Sequence, residues 1–236
     1  MVRTRRRPRA PAALAQNKLA WTAKREKVVA SGTADDWATQ KAKKALKKPL
    51  LAMTWGKCAF CEGRLGAQAY AQIEHYVSRK VDPGRAFEWE NLLPACEVCN
   101  RSKGDADHQG RLLKPDVEDP EPFFWITTEG KFTPDPRLNE ADTIRALETI
   151  RLCGLNREEL IANRQMVGDV VRRWVERAAG LVDGLDQYLQ AEWSALSDPC
   201  FNYKLVVRFV LTQKGLHDLA ETDRRLFHQE KTIPSE

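Results

Sequence analysis

The strongest constraint on the fold of this chain is a pair of Cys-x-x-Cys motifs. The first holds Cys58 and Cys61, and the second holds Cys96 and Cys99. Two thiolates separated by two residues can bind one metal ion from a tight turn, and two such turns complete a tetrahedral zinc site. The pattern favours structural zinc in a reducing compartment over a disulfide framework. The alternative is that the four cysteines are buried free thiols.

Acidic, imidazole and amide side chains lie between and directly after these pairs. Glu74 and His75 are adjacent, Asn91 follows, and Asn100 comes directly after Cys99. Hydrolysis of a phosphodiester needs a base that takes a proton from water, and a neutral imidazole can be that base. It also needs a hard cation, which a carboxylate and a side-chain carbonyl can hold. Adjacent strand residues face opposite sides, so we expect Glu74 to bind metal while His75 reaches the water.

The segment resembles HNH endonucleases that have a ββα-metal fold and four zinc cysteines. The resemblance implies that His75 is the general base and that Glu74 and Asn100 bind catalytic Mg²⁺ or Mn²⁺. It also implies that Asn91 holds the loop bearing His75 by hydrogen bonds, and that the four cysteines hold a structural zinc ion. The simpler alternatives are a packing role for His75, a helix cap for Asn100 and a turn cap for Asn91.

A narrower resemblance extends beyond this segment, to the PtuB-type HNH nucleases of Septu anti-phage systems. The stretches that carry it are Lys57–Glu62, Leu112–Pro115 and Leu155–Leu160. It implies an ABC/SMC-type ATPase partner, PtuA, and a role in antiviral defence. Those relatives follow the histidine with an aromatic residue and then Arg-Pro-Lys, whereas Val77-Ser78-Arg79-Lys80 stands here. We still expect Arg79 and Lys80 to contact phosphate.

Positive charge is concentrated near the N-terminus. The net charge is +5, yet residues 1–50 hold 14 lysine and arginine residues against 3 acidic residues. Such a region attracts nucleic-acid phosphates, although a solvated tail or helix face has the same composition. A helix predicted to run through Leu46 carries Lys41, Lys43, Lys44, Lys47 and Lys48, which form either a solvated face or part of a DNA track. Arg101 and Lys103 are open to the same two interpretations.

The predicted fold class is α+β and mostly α-helical, with a ββα-metal zinc module between N-terminal helices and a C-terminal helical bundle. The expected parts are a disordered basic arm (1–12), N-terminal helices (13–56), the HNH zinc module (57–112), and a hairpin plus helical bundle (113–236). Within the module we expect strands over 68–76 and 89–94 and a helix over 96–103. Asn156 is predicted to cap a long helix, with Glu159 at the capping-box position.

Several side chains outside the module lack a chemical pattern. We expect His108, His217 and His228 at the surface, and Cys153 and Cys200 as core thiols. Trp174, with Arg172 and Arg173, belongs either to the bundle core or to a surface that docks the ATPase. No apolar run approaches the roughly 20 residues of a membrane span, and no secretory signal is visible, so a cytoplasmic bacterial protein is expected.

The sequence therefore predicts a metal-dependent endonuclease of nucleic acid, with DNA as the expected substrate, structural Zn²⁺ and catalytic Mg²⁺ or Mn²⁺. The alternative is a zinc protein that binds nucleic acid, or adapts an ATPase, without catalysis. Such a protein would keep the four cysteines but would have no use for Glu74, His75 and Asn100 at these positions.

Overall fold

The computed structural model describes residues 1, 4, 9–31, 40–66, 70–179, 187–198 and 201–228. Half of the predicted basic arm (residues 2, 3 and 5–8) and Cys200 lie outside these ranges. The described elements are mainly helices with two small antiparallel sheets, so the predicted α+β class is confirmed. None of the helices within these ranges is both long and apolar enough to cross a membrane.

Two N-terminal helices precede the cysteine-rich segment. They are α1 (Ala12–Ala30) and α2 (Gln40–Met53). The apolar residues Leu46, Leu50 and Met53 recur at helical spacing on α2 and are buried. Helix α2 packs on both strands of the following sheet, so this apolar face fixes the orientation of its lysines relative to the sheet.

The cysteine-rich segment folds as two strands and a helix. Strand β1 (Ala71–His75) pairs antiparallel with β2 (Leu92–Cys96), with Glu74 opposite Leu93. Helix α3 (Glu97–Lys103) follows β2 directly and ends at Gly104, whose φ of 55° favours glycine. The order β1, β2, α3 is the predicted ββα arrangement.

The boundaries of these strands differ from the expected ones. Residues 67–69 lie outside the described ranges, and β1 begins at Ala71. Trp89–Asn91 forms a 3₁₀ turn, so β2 begins at Leu92 instead of residue 89. A second 3₁₀ turn, Pro83–Phe87, lies in the loop between the strands, and its Ala86 faces the site described below.

The second half of the chain begins with the predicted hairpin, β3 (Phe124–Ile126) and β4 (Phe132–Pro134). The helices that follow are α4 (Glu140–Leu152), α5 (Glu158–Ala179), α6 (Gln187–Ser197), α7 (Lys204–Gln213) and α8 (His217–His228). Helix α7 packs against both α5 and α8. Buried apolar residues from α2 through α8 belong to one continuous core, so the helical half is packed onto the ββα segment.

The predicted cap at Asn156 is wrong, and α5 begins at Glu158. The Oδ1 of Asn156 accepts a hydrogen bond of 2.8 Å from the Phe132 N–H, and its Nδ2 donates to the Phe132 carbonyl at 2.8 Å. The Asn156 side chain therefore pairs with the backbone of β4, as a neighbouring strand would, and does not cap the helix as its local spacing predicts.

Trp174 belongs to the bundle core, which excludes it as a docking anchor. Its side chain is 2% exposed, and its Nε1–H donates to the Leu189 carbonyl at 3.0 Å. The ring centroid lies 5.1 Å from that of Trp193 on α6. The hypothesis that Trp174 contacts an ATPase is therefore wrong, because the helix pair α5–α6 covers this residue.

A buried ion network joins α7 and α8 to the loop before β3. Asp223 pairs with Lys204 through Oδ1 and with the Arg208 Nε through Oδ2, the second contact at 2.8 Å. Arg208 Nη1 also lies 2.7 Å from the Glu121 carboxylate. Lys204 and Arg208 share the Asp223 carboxylate, which is fully buried.

Candidate active site

The four paired cysteines come together at one point. Their sulfur atoms all lie within 4.8 Å of one another, and the Cys61 and Cys96 sulfurs are 3.9 Å apart. Thiolates about 2.3 Å from one zinc ion stand about 3.8 Å apart at the corners of a tetrahedron. The residues therefore fit a structural zinc ion, as the spacing predicts.

Local structure places each sulfur. Cys58 and Cys61 lie in the turn before the sheet, while Cys96 ends β2 and Cys99 lies in α3. The Cys96 sulfur also accepts a hydrogen bond from the Cys99 N–H, so it acts as the N-cap of α3. The antiparallel pairing of β1 and β2 returns the chain to the first cysteine pair.

A cation from the helical half reaches this cluster. Arg157, just before α5, places its Nη1 3.5 Å from the Cys99 sulfur and 3.1 Å from the Gly154 carbonyl. A tetrathiolate zinc site carries a net charge of about −2, so a guanidinium there offsets part of it. No local pattern around Arg157 predicts this contact, because its partner lies in a different part of the fold.

Beside β1 and α3 lies a polar cleft of about 390 Å³. Residues from four parts of the chain line it: Lys43, Gln72, Ile73, Glu74, His75, Ser78, Arg79, Asn100, Lys103, Gly104 and Asp105. Glu74 and His75 both reach this cleft, although strand alternation predicts opposite faces. His75 is the last residue of β1, and the chain turns there. The alternation of side chains within a strand therefore does not fix the direction of the His75 side chain relative to that of Glu74.

The hydrogen bond of His75 selects its tautomer. Its Nε2 lies 3.0 Å from the Ala86 carbonyl oxygen, which only accepts, so Nε2 carries the proton and Nδ1 is the basic nitrogen. The side chain is 6% exposed, and burial, reinforced by the nearby Arg79, lowers the pKa of His75 to about 4. The imidazole is therefore neutral at pH 7 and can accept a proton.

Asn91 joins two segments of the loop that follows His75. Its Oδ1 accepts a hydrogen bond of 2.8 Å from the Val77 N–H. Its Nδ2 donates to the carbonyls of Val77 and Arg85, each at 3.0 Å. Val77 lies two residues after His75, and Arg85 directly precedes Ala86, whose carbonyl contacts the imidazole. One fully buried side chain therefore links these two segments.

Glu74 is buried against a lysine. Its Oε1 lies 2.6 Å from the Lys103 Nζ, and Glu74 is 3% exposed. Burial raises the pKa of Glu74 to about 7, and the attraction of Lys103 offsets only part of this rise. Lys103 itself is 2% exposed, so the alternative that it lies on a solvated helix face is wrong.

Asn100 lies on α3 at the edge of the cleft. Helix α3 is capped by Cys96 at its start and by Gly104 at its end, so the Asn100 side chain is not a cap. Among the described residues, no side-chain hydrogen bond holds it. Its amide oxygen is therefore available to a ligand in the cleft that Glu74 also lines.

Comparison with known proteins agrees with this geometry. Residues 58–106 match the HNH endonuclease family. The chain is also 26% identical over 152 residues to Septu protein PtuB of Bacillus thuringiensis, covering 62% of this chain and 55% of that protein. It is 27% identical over 175 residues to Septu protein PtuB of Bacillus mycoides, covering 60% and 56% of the two chains. The resemblance predicted from the motifs is thus confirmed, and the chain spans about half the length of these relatives.

The four basic residues predicted to contact nucleic acid have different surroundings in the HNH segment. Arg79 lines the cleft, and Lys103 lines it while paired with Glu74. Lys80 is exposed and lies 2.6 Å from the Asp105 carboxylate. Arg101 is exposed and pairs with Glu97 one turn away. Nucleic-acid contact by these four remains a prediction, and Arg79 and Lys103 are the two of them that line the cleft.

For two further residues near the HNH segment, the structure shows surroundings that the sequence did not predict. Lys43 reaches the cleft from α2, well before the matched residues. His108 is 3% exposed instead of lying at the surface, because its Nε2 lies 2.8 Å from the Tyr76 carbonyl and its ring packs edge-on against that of Tyr76. A single histidine without a spacing pattern offers no signal for such burial.

Proposed function

We propose that this protein is a metal-dependent HNH endonuclease that hydrolyses phosphodiester bonds in nucleic acid, principally DNA. The observation that carries the proposal is the convergence of a neutral imidazole, a carboxylate and an amide oxygen on one cleft beside a four-cysteine cluster. These groups belong to His75, Glu74 and Asn100. The match of residues 58–106 to the HNH endonuclease family supports the same activity.

In the proposed reaction, His75 takes a proton from the attacking water at Nδ1. The Ala86 carbonyl keeps the opposite nitrogen, Nε2, protonated, so the basic lone pair of the imidazole is on Nδ1. The low pKa of about 4 leaves His75 unprotonated in neutral solution. Asn91 is a positioning residue in this scheme, since it holds the loops without lining the cleft.

Glu74 and Asn100 are the proposed ligands of a catalytic divalent cation. Glu74 Oε1 is paired with Lys103, while among the described residues no hydrogen bond reaches Oε2. One carboxylate oxygen and one amide oxygen suit Mg²⁺ or Mn²⁺, which prefer oxygen ligands and keep several positions for water and phosphate. When bound, such a cation neutralises charge on the phosphate and the leaving oxygen.

The proposal is tested by cleavage of plasmid DNA and of RNA with Mg²⁺ or Mn²⁺, after zinc loading. We expect His75→Ala to lower the rate roughly 10²–10⁴-fold, because the general base is lost, and Mn²⁺ should not restore it. Asn100→Ala and Glu74→Gln should lose rate through weaker metal binding and should recover part of it at high Mn²⁺. Arg151→Ala is the control, because Arg151 is exposed on α4.

Wild-type turnover by His75→Ala would refute the assignment of the base. Binding of nucleic acid without cleavage by the wild-type chain, alone and with its partner, would instead support the non-catalytic zinc protein. Cys96→Ser should yield insoluble or protease-sensitive protein, because structural zinc contributes directly to folding. A soluble, fully active and zinc-free Cys96→Ser protein would refute the structural role.

We further propose that the nuclease acts in the bacterial cytoplasm as the effector of an anti-phage system and depends on an ABC/SMC-type ATPase. The support is the similarity to two proteins named Septu protein PtuB. The test is to co-express the chain with the product of the neighbouring gene and to compare plasmid cleavage with and without ATP. Failure of the two proteins to co-purify, with full cleavage by the chain alone, would contradict this dependence.

A further inference from the structure

Helix α2 brings a lysine to the cleft from outside the HNH segment. Lys43 lines the same cleft as His75 and Arg79, although it precedes the first zinc cysteine in the chain. The contact follows from packing, since α2 lies against both β1 and β2. One end of α2 therefore stands directly beside the candidate catalytic groups.

Lys43 is the first of four lysines that form a continuous basic surface on α2. The buried face of the helix is marked by Leu46 and Leu50. At about 100° per residue, Lys43, Lys47, Lys44 and Lys48 occupy in that order a sector of about 140° that starts at the edge of the buried face. Lys44 and Lys48 are exposed, and α2 contains no acidic residue. We call these four residues the lysine face.

The lysine face stands on a fixed support. Helix α1 contributes Arg25, whose guanidinium donates to the carbonyls of Pro83 and Arg79 at 3.4 and 3.3 Å. These carbonyls belong to the loop that follows β1, so α1 is hydrogen-bonded to the loop beside the cleft. Helix α2 in turn packs on α1 and on the sheet. A rigid basic surface that begins at a catalytic cleft is suited to hold a polyanion in a fixed position relative to the cleft.

We propose that the lysine face is a binding surface for the sugar–phosphate backbone of the nucleic acid that is cut in the cleft. This inference rests on the proposed nuclease function and extends it to a site outside the HNH segment. Lysine ammonium groups contact phosphates and do not read bases, so the surface confers affinity without sequence preference. The strand follows α2 outward from Lys43, and the phosphate nearest Lys43 adjoins the scissile one.

The test measures salt-dependent binding instead of cleavage. In the His75→Ala background, which keeps substrate intact, the dissociation constant for a fluorescent duplex and a single strand is determined across a salt series. Each lysine that contacts a phosphate contributes about 0.9 to the log–log slope on duplex DNA and about 0.7 on a single strand. Lys44→Ala/Lys48→Ala should therefore lower the slope on duplex by about 2.

The matched control is Lys131→Ala/Arg173→Ala, which removes the same charge. Lys131 lies beside β4 and Arg173 on α5, and both are exposed. This pair should leave the slope unchanged. Alanine is the best helix former, so the double substitution on α2 should remain folded, which far-ultraviolet circular dichroism will verify.

Three outcomes would overturn the proposal. In the first, the slope of Lys44→Ala/Lys48→Ala equals that of the His75→Ala background. In the second, the slope falls equally for this variant and for the control Lys131→Ala/Arg173→Ala, so the effect is one of net charge alone. Alternatively, Lys44→Ala/Lys48→Ala could leave nucleic-acid binding intact and abolish co-purification with the ATPase, which would assign the lysine face to an acidic protein. A lower slope specific to α2 supports the proposal even if the wild-type chain fails to cleave, so the two proposals fail separately.

Discussion

Removal of the Asn91 side chain should loosen both loops around His75 without touching the cleft. Asn91 makes three side-chain hydrogen bonds, to the Val77 N–H and to the carbonyls of Val77 and Arg85. The residue is fully buried, so water does not replace these bonds at once. Asn91→Ala therefore leaves one buried donor and two buried acceptors without their partner.

The magnitude follows from these three bonds. A typical intramolecular hydrogen bond contributes about 1 kcal/mol net, so the three together contribute about 3 kcal/mol to holding the loops closed. A difference of about 1.4 kcal/mol is a factor of ten in an equilibrium constant, so the loops should open roughly a hundredfold more often. Since Arg85 precedes Ala86, the same opening disturbs the hydrogen bond that orients His75.

Hydrogen exchange measures this local opening directly. In zinc-loaded protein, the amide of Val77 should exchange about a hundredfold faster in Asn91→Ala than in the wild type, and cleavage should fall with it. Asn91→Asp should keep the bond from the Val77 N–H but lose both donated bonds, so its exchange rate should lie between the two.

Asn100→Ala is the matched control, because the Asn100 side chain makes no hydrogen bond to the described residues. It should lose cleavage while Val77 exchanges at the wild-type rate. If Asn91→Ala instead lost cleavage with unchanged exchange at Val77, Asn91 would act on the substrate and the positioning argument would be wrong.

Two further perturbations test contacts outside the cleft. Arg157→Ala should weaken zinc binding by about 10–100-fold in competition with a chromogenic chelator, because the thiolate cluster loses its neighbouring cation, and Arg157→Lys should lose less. Equal affinity in all three proteins would contradict this. Asp223→Ala should destabilise the protein by about 3–5 kcal/mol in thermal unfolding, because it removes the buried carboxylate shared by Lys204 and Arg208. Glu221→Ala on the same helix should cost about 0.5 kcal/mol or less, so similar losses for both variants would count against the network.

The features that could be predicted from the sequence depend on residues that lie close together in the chain. Ligand spacing in Cys58–Cys61 and Cys96–Cys99 is set by the turn that holds each pair, and Gly104 ends α3 through its own backbone conformation. The hairpin after Pro122 follows from β-rich runs on either side of a turn. In each case, the interacting residues are neighbours in the chain, so their spacing contains the required information.

Where local signals competed with distant partners, the prediction from sequence was wrong. Asn156 has the spacing of a helix cap, yet Phe132 on β4 offers it two hydrogen bonds. For Lys103, the alternative of a solvated helix face is excluded because the side chain pairs with buried Glu74, whereas its contact with nucleic acid stays a prediction. His108 packs against Tyr76 in the same way. A side chain takes the partner that the packed fold places nearest, and sequence spacing does not reveal that partner.

By itself, the sequence determined which residues are candidates for the chemistry: four paired cysteines, an acid–imidazole pair and two asparagines within the segment that matches the HNH endonuclease family. Only the tertiary structure decided what surrounds them. It oriented His75 with the Ala86 carbonyl, brought Arg157 to the thiolates and placed Lys43 at the cleft. The physical reason is that burial, tautomer and charge compensation depend on atoms that meet only when distant elements pack together.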